Sequence, residues 1–301
     1  MKSKGGMAGT YTALVTPFQG DEGEAVDWDA MDALVDAQIE GGVSGLVPCG
    51  TTGESPTLSS GEQQELVKRV VLRASGRVVV VAGTGSNSTL HTIEASRAAE
   101  RAGADGVMVV VPYYNKPTQA GLYRHFVAVA AAVSCPVVIY NIPGRTGIDL
   151  AVETLGRIVE KARNVVAVKE ATGNVLRAQE LVRRFGDRLS VMSGDDALTL
   201  PMMAVGANGV ISVTSNLLPK AVARVVNLAA DGRFLDARRA HLALLPVHEA
   251  MFLEANPGPV KAALASLGKM RDTVRGPLVA PSNETRTKVG DAVREYERAG
   301  A

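Results

Sequence analysis

Cysteine is nearly absent: Cys49 and Cys135 are the only two in 301 residues, too few for a disulfide framework. Both stand in apolar, strand-like stretches and read as reduced core residues. An excess of one charge is also missing. Thirty-two basic and 31 acidic side chains leave a net charge of +1, which gives no electrostatic footprint for nucleic acid or an anionic membrane. No apolar run approaches the roughly 18 residues that span a bilayer. The first residues, Met1 to Met7, carry lysine and glycine with no apolar segment behind them, so a cytoplasmic location is the expectation. The four histidines, His91, His125, His241 and His248, show no metal-ligand spacing with carboxylates or cysteines. No metal is expected, and the lone tryptophan, Trp28, reads as a packing residue at a helix start. What remains is a small-molecule partner, or another copy of the chain.

Hydrophobic residues make up 46% of the chain, enough for a substantial core. Short Val- and Ile-rich runs alternate with longer amphipathic stretches. The strand-like runs are Thr12–Thr16, Gly45–Cys49, Val78–Ala82, Gly106–Val111, Pro136–Tyr140, Val165–Lys169, Leu189–Met192 and Gly209–Val213. Most are continuously apolar, as parallel strands covered on both faces must be. Helical patterns fill the gaps: Asp27–Glu40, Ser59–Ala74, Leu90–Ala102, Ala120–Val133, Val152–Lys161, Val175–Phe185, Leu198–Val205 and Lys220–Ala230. Gly41, Gly103, Gly186 and Gly206 stand where left-handed helix C-caps are expected. Eight strand–helix units without a linker predict a (β/α)₈ TIM barrel, an α/β fold, over residues 1–231; an open nine-stranded sheet is the other arrangement such units allow. Three further helical patterns, Phe234–Met251, Pro259–Leu267 and Glu284–Arg298, predict a C-terminal helical extension over residues 232–301.

In such a barrel the reactive groups come from the C-terminal ends of the strands. Those positions gather threonines, tyrosines, one lysine and one arginine. Lys169 ends the run Val165–Val168, and period-two alternation puts it on one face with Val165 and Ala167, with Val168 and Glu170 turned to the helices. A lysine in a barrel interior is desolvated, which favours the neutral amine, and a neutral amine attacks ketones to form a Schiff base. A strand-end lysine snorkelling to solvent is the bland alternative. The loop Gly83-Thr-Gly-Ser-Asn87 fails the dinucleotide spacing, since residue 88 is Ser, so no phosphate site is read there.

Six segments occur in order: Gly50-Thr-Thr-Gly-Glu-Ser55, Pro112-Tyr-Tyr-Asn-Lys-Pro117, Tyr140-Asn-Ile-Pro-Gly-Arg-Thr-Gly147, Val168-Lys-Glu-Ala-Thr-Gly-Asn174, Ser193-Gly-Asp-Asp196 and Gly209-Val-Ile-Ser-Val213. With these the chain resembles the dihydrodipicolinate synthase / N-acetylneuraminate lyase family, most closely its synthase branch, from about Gly9 through Asn256-Pro-Gly-Pro-Val-Lys261 to the final helix. Their company favours the nucleophile reading of Lys169. The resemblance implies that Lys169 forms the imine with pyruvate, with no cofactor beyond that covalent lysine. It implies that Thr51 and Thr52 hold the pyruvate carboxylate, and that Tyr140 relays protons in a chain with Thr51 and with Tyr114 of a neighbouring subunit. Arg145 would bind the carboxylate of L-aspartate 4-semialdehyde, a task suited to a guanidinium fork. Gly194 and Ile211 would supply backbone carbonyls and apolar wall near the imine.

The reaction so implied is condensation of pyruvate with the semialdehyde on the lysine and diaminopimelate route, by a homotetramer arranged as a dimer of dimers. A class I pyruvate-dependent aldolase or dehydratase acting on a 2-keto-3-deoxy sugar acid is the alternative that keeps the imine, and Arg145 discriminates between the two. A catalytically silent sensor or scaffold is a third, against which both Lys169 and Tyr140 count. By the same resemblance a regulatory lysine pocket would include Ser55, Pro56, Ser60, Gln63, Asn87, His91 and Tyr113. Lysine-sensitive members carry a glutamate where this chain has His91, so weak or absent feedback is expected.

Overall fold

The structure, a computed structural model, describes residues 6–298. Eight parallel strands close on themselves: β1 Gly9–Ala13, β2 Gly45–Val47, β3 Val79–Gly83, β4 Gly106–Val110, β5 Val137–Asn141, β6 Val165–Glu170, β7 Ser190–Ser193 and β8 Gly209–Ser212. β1 pairs with β8 through Gly9↔Gly209 and with β2 through Tyr11↔Gly45, and this closure excludes the open sheet. Helices α1 Trp28–Glu40, α2 Ser60–Ala74, α3 Thr89–Arg101, α4 Gln119–Ala132, α5 Val152–Lys161, α6 Val175–Phe185, α7 Thr199–Ala204 and α8 Pro219–Ala230 follow the strands in turn. After them come α9 Phe234–Ala250, α10 Gly258–Ser266 and α11 Asn283–Arg298. Among the described residues no helix is long and apolar enough to cross a membrane.

Five of the helices begin where their sequences supply a side-chain cap. Asp27, Ser88, Thr118 and Asn174 each accept from a backbone N–H in the first turn, and Ser59 forms a reciprocal capping box with Glu62. Their ends are less uniform than the glycines suggest. Gly103 and Gly206 take the left-handed backbone, at φ 91° and 103°. Gly41 and Gly186 do not, with φ of −71° and −58°. After α1 the left-handed residue is the next one, Gly42, while α6 closes through the N–H groups of Arg188 and Leu189 on the Phe185 carbonyl.

Two apolar shells result. The outer one lies between strands and helices and includes Val35, Leu66, Phe126, Ile139, Leu155, Val168 and Leu181. The inner one fills the barrel with Tyr11, Ala13, Val47, Val81, Met108, Val138, Tyr140, Ala167, Met192 and Ile211. Simple alternation along β6 is broken by an irregularity. Val137 pairs with Val165 but Val138 pairs with Ala167, so Val166 is the extra residue. Val165 consequently belongs to the outer shell with Val168, not to the face of Lys169, whereas Ala167 does share that face. Cys49 is buried but Cys135 only half-buried; both are free thiols.

The first strand sits three residues earlier than its apolar run. Thr10 and Thr12 are buried in the ladder, and the Thr12 hydroxyl donates to Gln38 Oε1 at 2.7 Å. The apolar residues Leu14 and Val15 leave the ladder and lead to a small hairpin, Phe18–Gln19 against Ala25–Val26, too short to leave a periodic trace in the sequence.

One glycine sets the distance between β3 and the loop after β2. A Cβ on Gly83 would lie 2.3 Å from the Cys49 carbonyl oxygen and 2.9 Å from the Gly50 nitrogen. Gly83→Ala must therefore displace the peptide leading into Thr51, and is expected to cost about 1–3 kcal/mol, read as a lower urea midpoint with unchanged slope. An unchanged midpoint would show that the loop yields freely.

Candidate active site

Lys169 and Tyr140 are direct register partners on adjacent strands β6 and β5, near their C-terminal ends. Both side chains are buried, and the Lys169 Nζ lies 4.3 Å from the centre of the Tyr140 ring. Burial pushes the lysine down to about 8; Asp196 pulls the other way and Arg145 adds to the depression. With that value about one amine in ten is neutral at pH 7, against about one in three thousand for an ordinary lysine. Burial also pushes the Tyr140 phenol up to about 12, against the opposing pull of Arg145 and a hydrogen bond with the Thr51 hydroxyl. The phenol is thus neutral at pH 7 and can both donate and accept.

Carboxylates near this pair are kept occupied. Asp196, on the loop after β7, is buried and accepts from the Ser212 hydroxyl and from the N–H groups of Val213 and Thr214. Glu170, the residue after the lysine, is turned away from it and accepts from Arg177 Nε at 2.9 Å and Thr172 N at 2.9 Å. Asn141, the residue after Tyr140, donates to Asp149 and to Glu170 and accepts from Leu150 N. This polar clamp ties the ends of β5 and β6 together from outside, and so fixes the spacing of Tyr140 and Lys169 inside.

The remaining residues singled out in the sequence fall in four places. Thr51, Thr52 and Gly194 stand with the pair: Thr51 bonds Tyr140, Thr52 is buried in the same turn, and a Cβ on Gly194 would come 3.2 Å from Lys169 Cε. Ile211 lines the barrel interior. Arg145 lies on a short helix, Pro143–Thr146, with an exposed side chain whose charge still reaches both Lys169 and Tyr140. Tyr114 is not brought in: its side chain is 88% exposed, on a left-handed backbone at φ 72°.

A separate cavity of about 500 Å³ is lined by Ser55, Pro56, Ser60, Gln63, His91 and Tyr113, but not by Asn87. Asn87 instead offers its carbonyl to Asn115 Nδ2 at 2.8 Å. The cavity also takes in Glu94 and Arg101, which the residue pattern had not suggested. Among the described residues no group of three or more His, Cys, Asp or Glu could hold a metal ion.

Sequence reading overlooked the support beneath the threonine turn. Glu54 and Lys261 form a fully buried ion pair at 2.5 Å, 207 residues apart in the chain. Asn256 Nδ2 donates to Thr52 Oγ1 at 3.0 Å. Glu54, Asn256 and Lys261 all stand in recognised segments, but no spacing rule joins residues so distant.

The buried amine has a consequence for stability. In the unfolded chain Lys169 holds its proton up to about pH 10.5; in the fold, only to about 8. The cost is therefore full below pH 8 and fades between 8 and 10.5. Lys169→Met is expected to stabilise the fold at pH 7, on the order of 3 kcal/mol, with the gain shrinking by pH 10. Urea unfolding at both pH values checks this, and a gain independent of pH would contradict it.

The Dihydrodipicolinate synthetase family profile matches residues 6–296. A 4-hydroxy-tetrahydrodipicolinate synthase of Sorangium cellulosum (strain So ce56) is 62% identical over 291 residues, covering 97% of this chain and 96% of that one. The 4-hydroxy-tetrahydrodipicolinate synthase structure from the thermoacidophilic methanotroph Methylacidiphilum fumariolicum SolV superposes with a TM-score of 0.95 at 45% identity, covering 97% of this chain and 96% of that one. A chloride-inhibited dihydrodipicolinate synthase from Acinetobacter baumannii complexed with pyruvate gives 0.94 at 40% identity, over 96% and 99% of the two chains. With its closed barrel, buried strand-end lysine and whole-length match, the chain belongs to the dihydrodipicolinate synthetase family.

Proposed function

We propose that the chain is a class I lyase with 4-hydroxy-tetrahydrodipicolinate synthase activity, condensing pyruvate with L-aspartate 4-semialdehyde through an imine on Lys169, on the route to diaminopimelate and lysine. The observation that carries this reading is the desolvated amine of Lys169 against the Tyr140 phenol. The amine adds to C2 of pyruvate, and loss of water leaves the imine. Removal of a C3 proton gives the enamine, whose C3 then attacks the semialdehyde carbonyl. Attack of the semialdehyde's own amino group on C2 displaces Lys169 and closes the ring. No step calls for a cofactor beyond the covalent lysine.

Tyr140, hydrogen-bonded to Thr51, is suited to carry the protons these steps release and consume. The exposed ring of Tyr114 fits completion of that relay in a neighbouring copy, within a tetramer built as a dimer of dimers. Thr51 and Thr52 would hold the pyruvate carboxylate. Gly194, close to the lysine stem, and Ile211 would border the imine. Arg145 has no carboxylate partner among the described residues and would take the carboxylate of the semialdehyde. A cytoplasmic location suits such a biosynthetic enzyme.

Borohydride reduction in the presence of pyruvate, followed by peptide mass mapping, should place a reduced pyruvyl group on Lys169 and none in Lys169→Ala. Arg145→Ala should retain trapping yet lose at least ~10-fold in turnover of the semialdehyde, about one charge-assisted contact. Unchanged turnover, or preferred turnover of 2-keto-3-deoxy sugar acids by the wild type, would point to the aldolase reading instead.

In the cavity beside His91 a ligand ammonium would face an imidazole rather than a carboxylate at that position. Glu94 lines the same wall, but Arg101 lines it too. Lysine feedback is therefore expected to be weak, with no inhibition below millimolar lysine in a steady-state assay.

A further inference from the structure

We infer that the C-terminal segment from Asn256 to Arg275 is a strap that positions the Thr51–Thr52 turn for its anion, with Asn256 and the Glu54–Lys261 pair as its positioning residues. The inference rests on the proposed role of that turn in holding the pyruvate carboxylate.

The turn Gly50–Ser55 is closed by its own backbone bonds, from Gly53 N and Ser55 N to the Gly50 carbonyl and from Glu54 N to the Thr51 carbonyl, but one of its residues is strained. Glu54 holds a left-handed backbone at φ 56°, a conformation disfavoured for a residue with a Cβ. Contacts from outside the turn add to these bonds. The Thr16 hydroxyl donates to the Gly53 carbonyl at 2.7 Å, and Gln63 Nε2 donates to the Ser55 carbonyl at 2.9 Å. From the far end of the chain, the Glu54 carboxylate accepts from Lys261 Nζ on one oxygen and from the Arg275 backbone N–H, at 2.9 Å, on the other.

Lys261 is itself fixed. It also donates to the Thr273 carbonyl at 2.8 Å, and its Nζ stands 4.2 Å from the centre of the Phe18 ring. The Arg275 guanidinium lies over the same ring and pairs with Glu62 at 2.6 Å. Two charges with almost no solvent exposure contribute little net stability over an apolar pair, but each has one geometry that satisfies it. Glu54 is two residues from Thr52, so that geometry is passed directly to the turn.

Asn256 acts on the reacting side. Its amide donates to Thr52 Oγ1, which occupies a lone pair and leaves the hydroxyl proton free to point elsewhere. A hydroxyl polarised in this way is the better donor to an anion. The C-terminal segment would thus set both the position of the turn and the direction of one of its donors.

The test measures half-saturation of borohydride-trapped adduct at Lys169 against pyruvate, together with steady-state KM and kcat. Asn256→Ala is expected to raise half-saturation and KM for pyruvate ~10-fold, roughly one hydrogen bond to an anion, with the saturated adduct yield retained. A purely structural role would lower yield and leave half-saturation where it was. Thr52→Val combined with Asn256→Ala should bind pyruvate no more weakly than Thr52→Val alone, because both act through the same hydroxyl. Glu54→Gln is expected to raise half-saturation in the same direction, and serves if Asn256→Ala does not fold. Unchanged half-saturation in folded Asn256→Ala, or additive losses in the double variant, would overturn the strap. Absence of any adduct in the wild type would instead remove the proposed imine chemistry.

Discussion

Water is excluded from the amine of Lys169, and no carboxylate within ion-pair distance replaces it among the described residues. Hydration normally holds a lysine charged; an apolar barrel wall of Val138, Ala167, Met192 and Ile211 does not. The nearest polar neighbours are of a kind that preserves this condition. Tyr140 and Thr51 bring hydroxyls, which can move protons without neutralising a charge. Asp196 and Glu170 have their oxygens occupied by hydrogen bonds to other groups. A free carboxylate at the same distance would oppose the depression and shrink the neutral fraction of the amine further.

Lys261 shows the other outcome of burial. It too is buried, and desolvation pushes it down to about 8 as it does Lys169, even with Glu54 opposing at 2.5 Å; the contrast is that its amine has a carboxylate partner. One buried lysine is left free to react and the other is committed to a partner. The difference lies in what each strand or helix places opposite it, because the two side chains are chemically identical.

The barrel serves this arrangement by making strand ends converge. β5 and β6 bring Tyr140 and Lys169 into register, and the outer clamp of Asn141, Asp149, Glu170 and Arg177 fastens those same strand ends. β2 delivers the threonine turn, packed against β3 at Gly83 with no room for a side chain. Tyr140 and Lys169 are each followed by a residue, Asn141 or Glu170, whose side chain faces the opposite way and joins the outer clamp. Period-two alternation lets one strand end present chemistry inward and structure outward.

The sequence alone marked the eight barrel strands and the placement of nearly every helix, because continuous apolar runs and amphipathic stripes are local consequences of burial on two faces or one; closure of the barrel was left to the pairing of β1 with β8. The sequence also placed Lys169, Tyr140 and Thr51 at strand ends, a local pattern, while the roles expected of them came from the family resemblance. Other features were decided by contacts between distant parts of the chain. The extra residue at Val166 depends on the register with β5, the early start of β1 on a hydrogen bond from Thr12 to Gln38, and the absence of Asn87 from the cavity on loop geometry. The meeting of Asn256 with Thr52 and of Lys261 with Glu54 spans more than 200 residues, and no periodicity encodes a pairing that exists only once the barrel has closed.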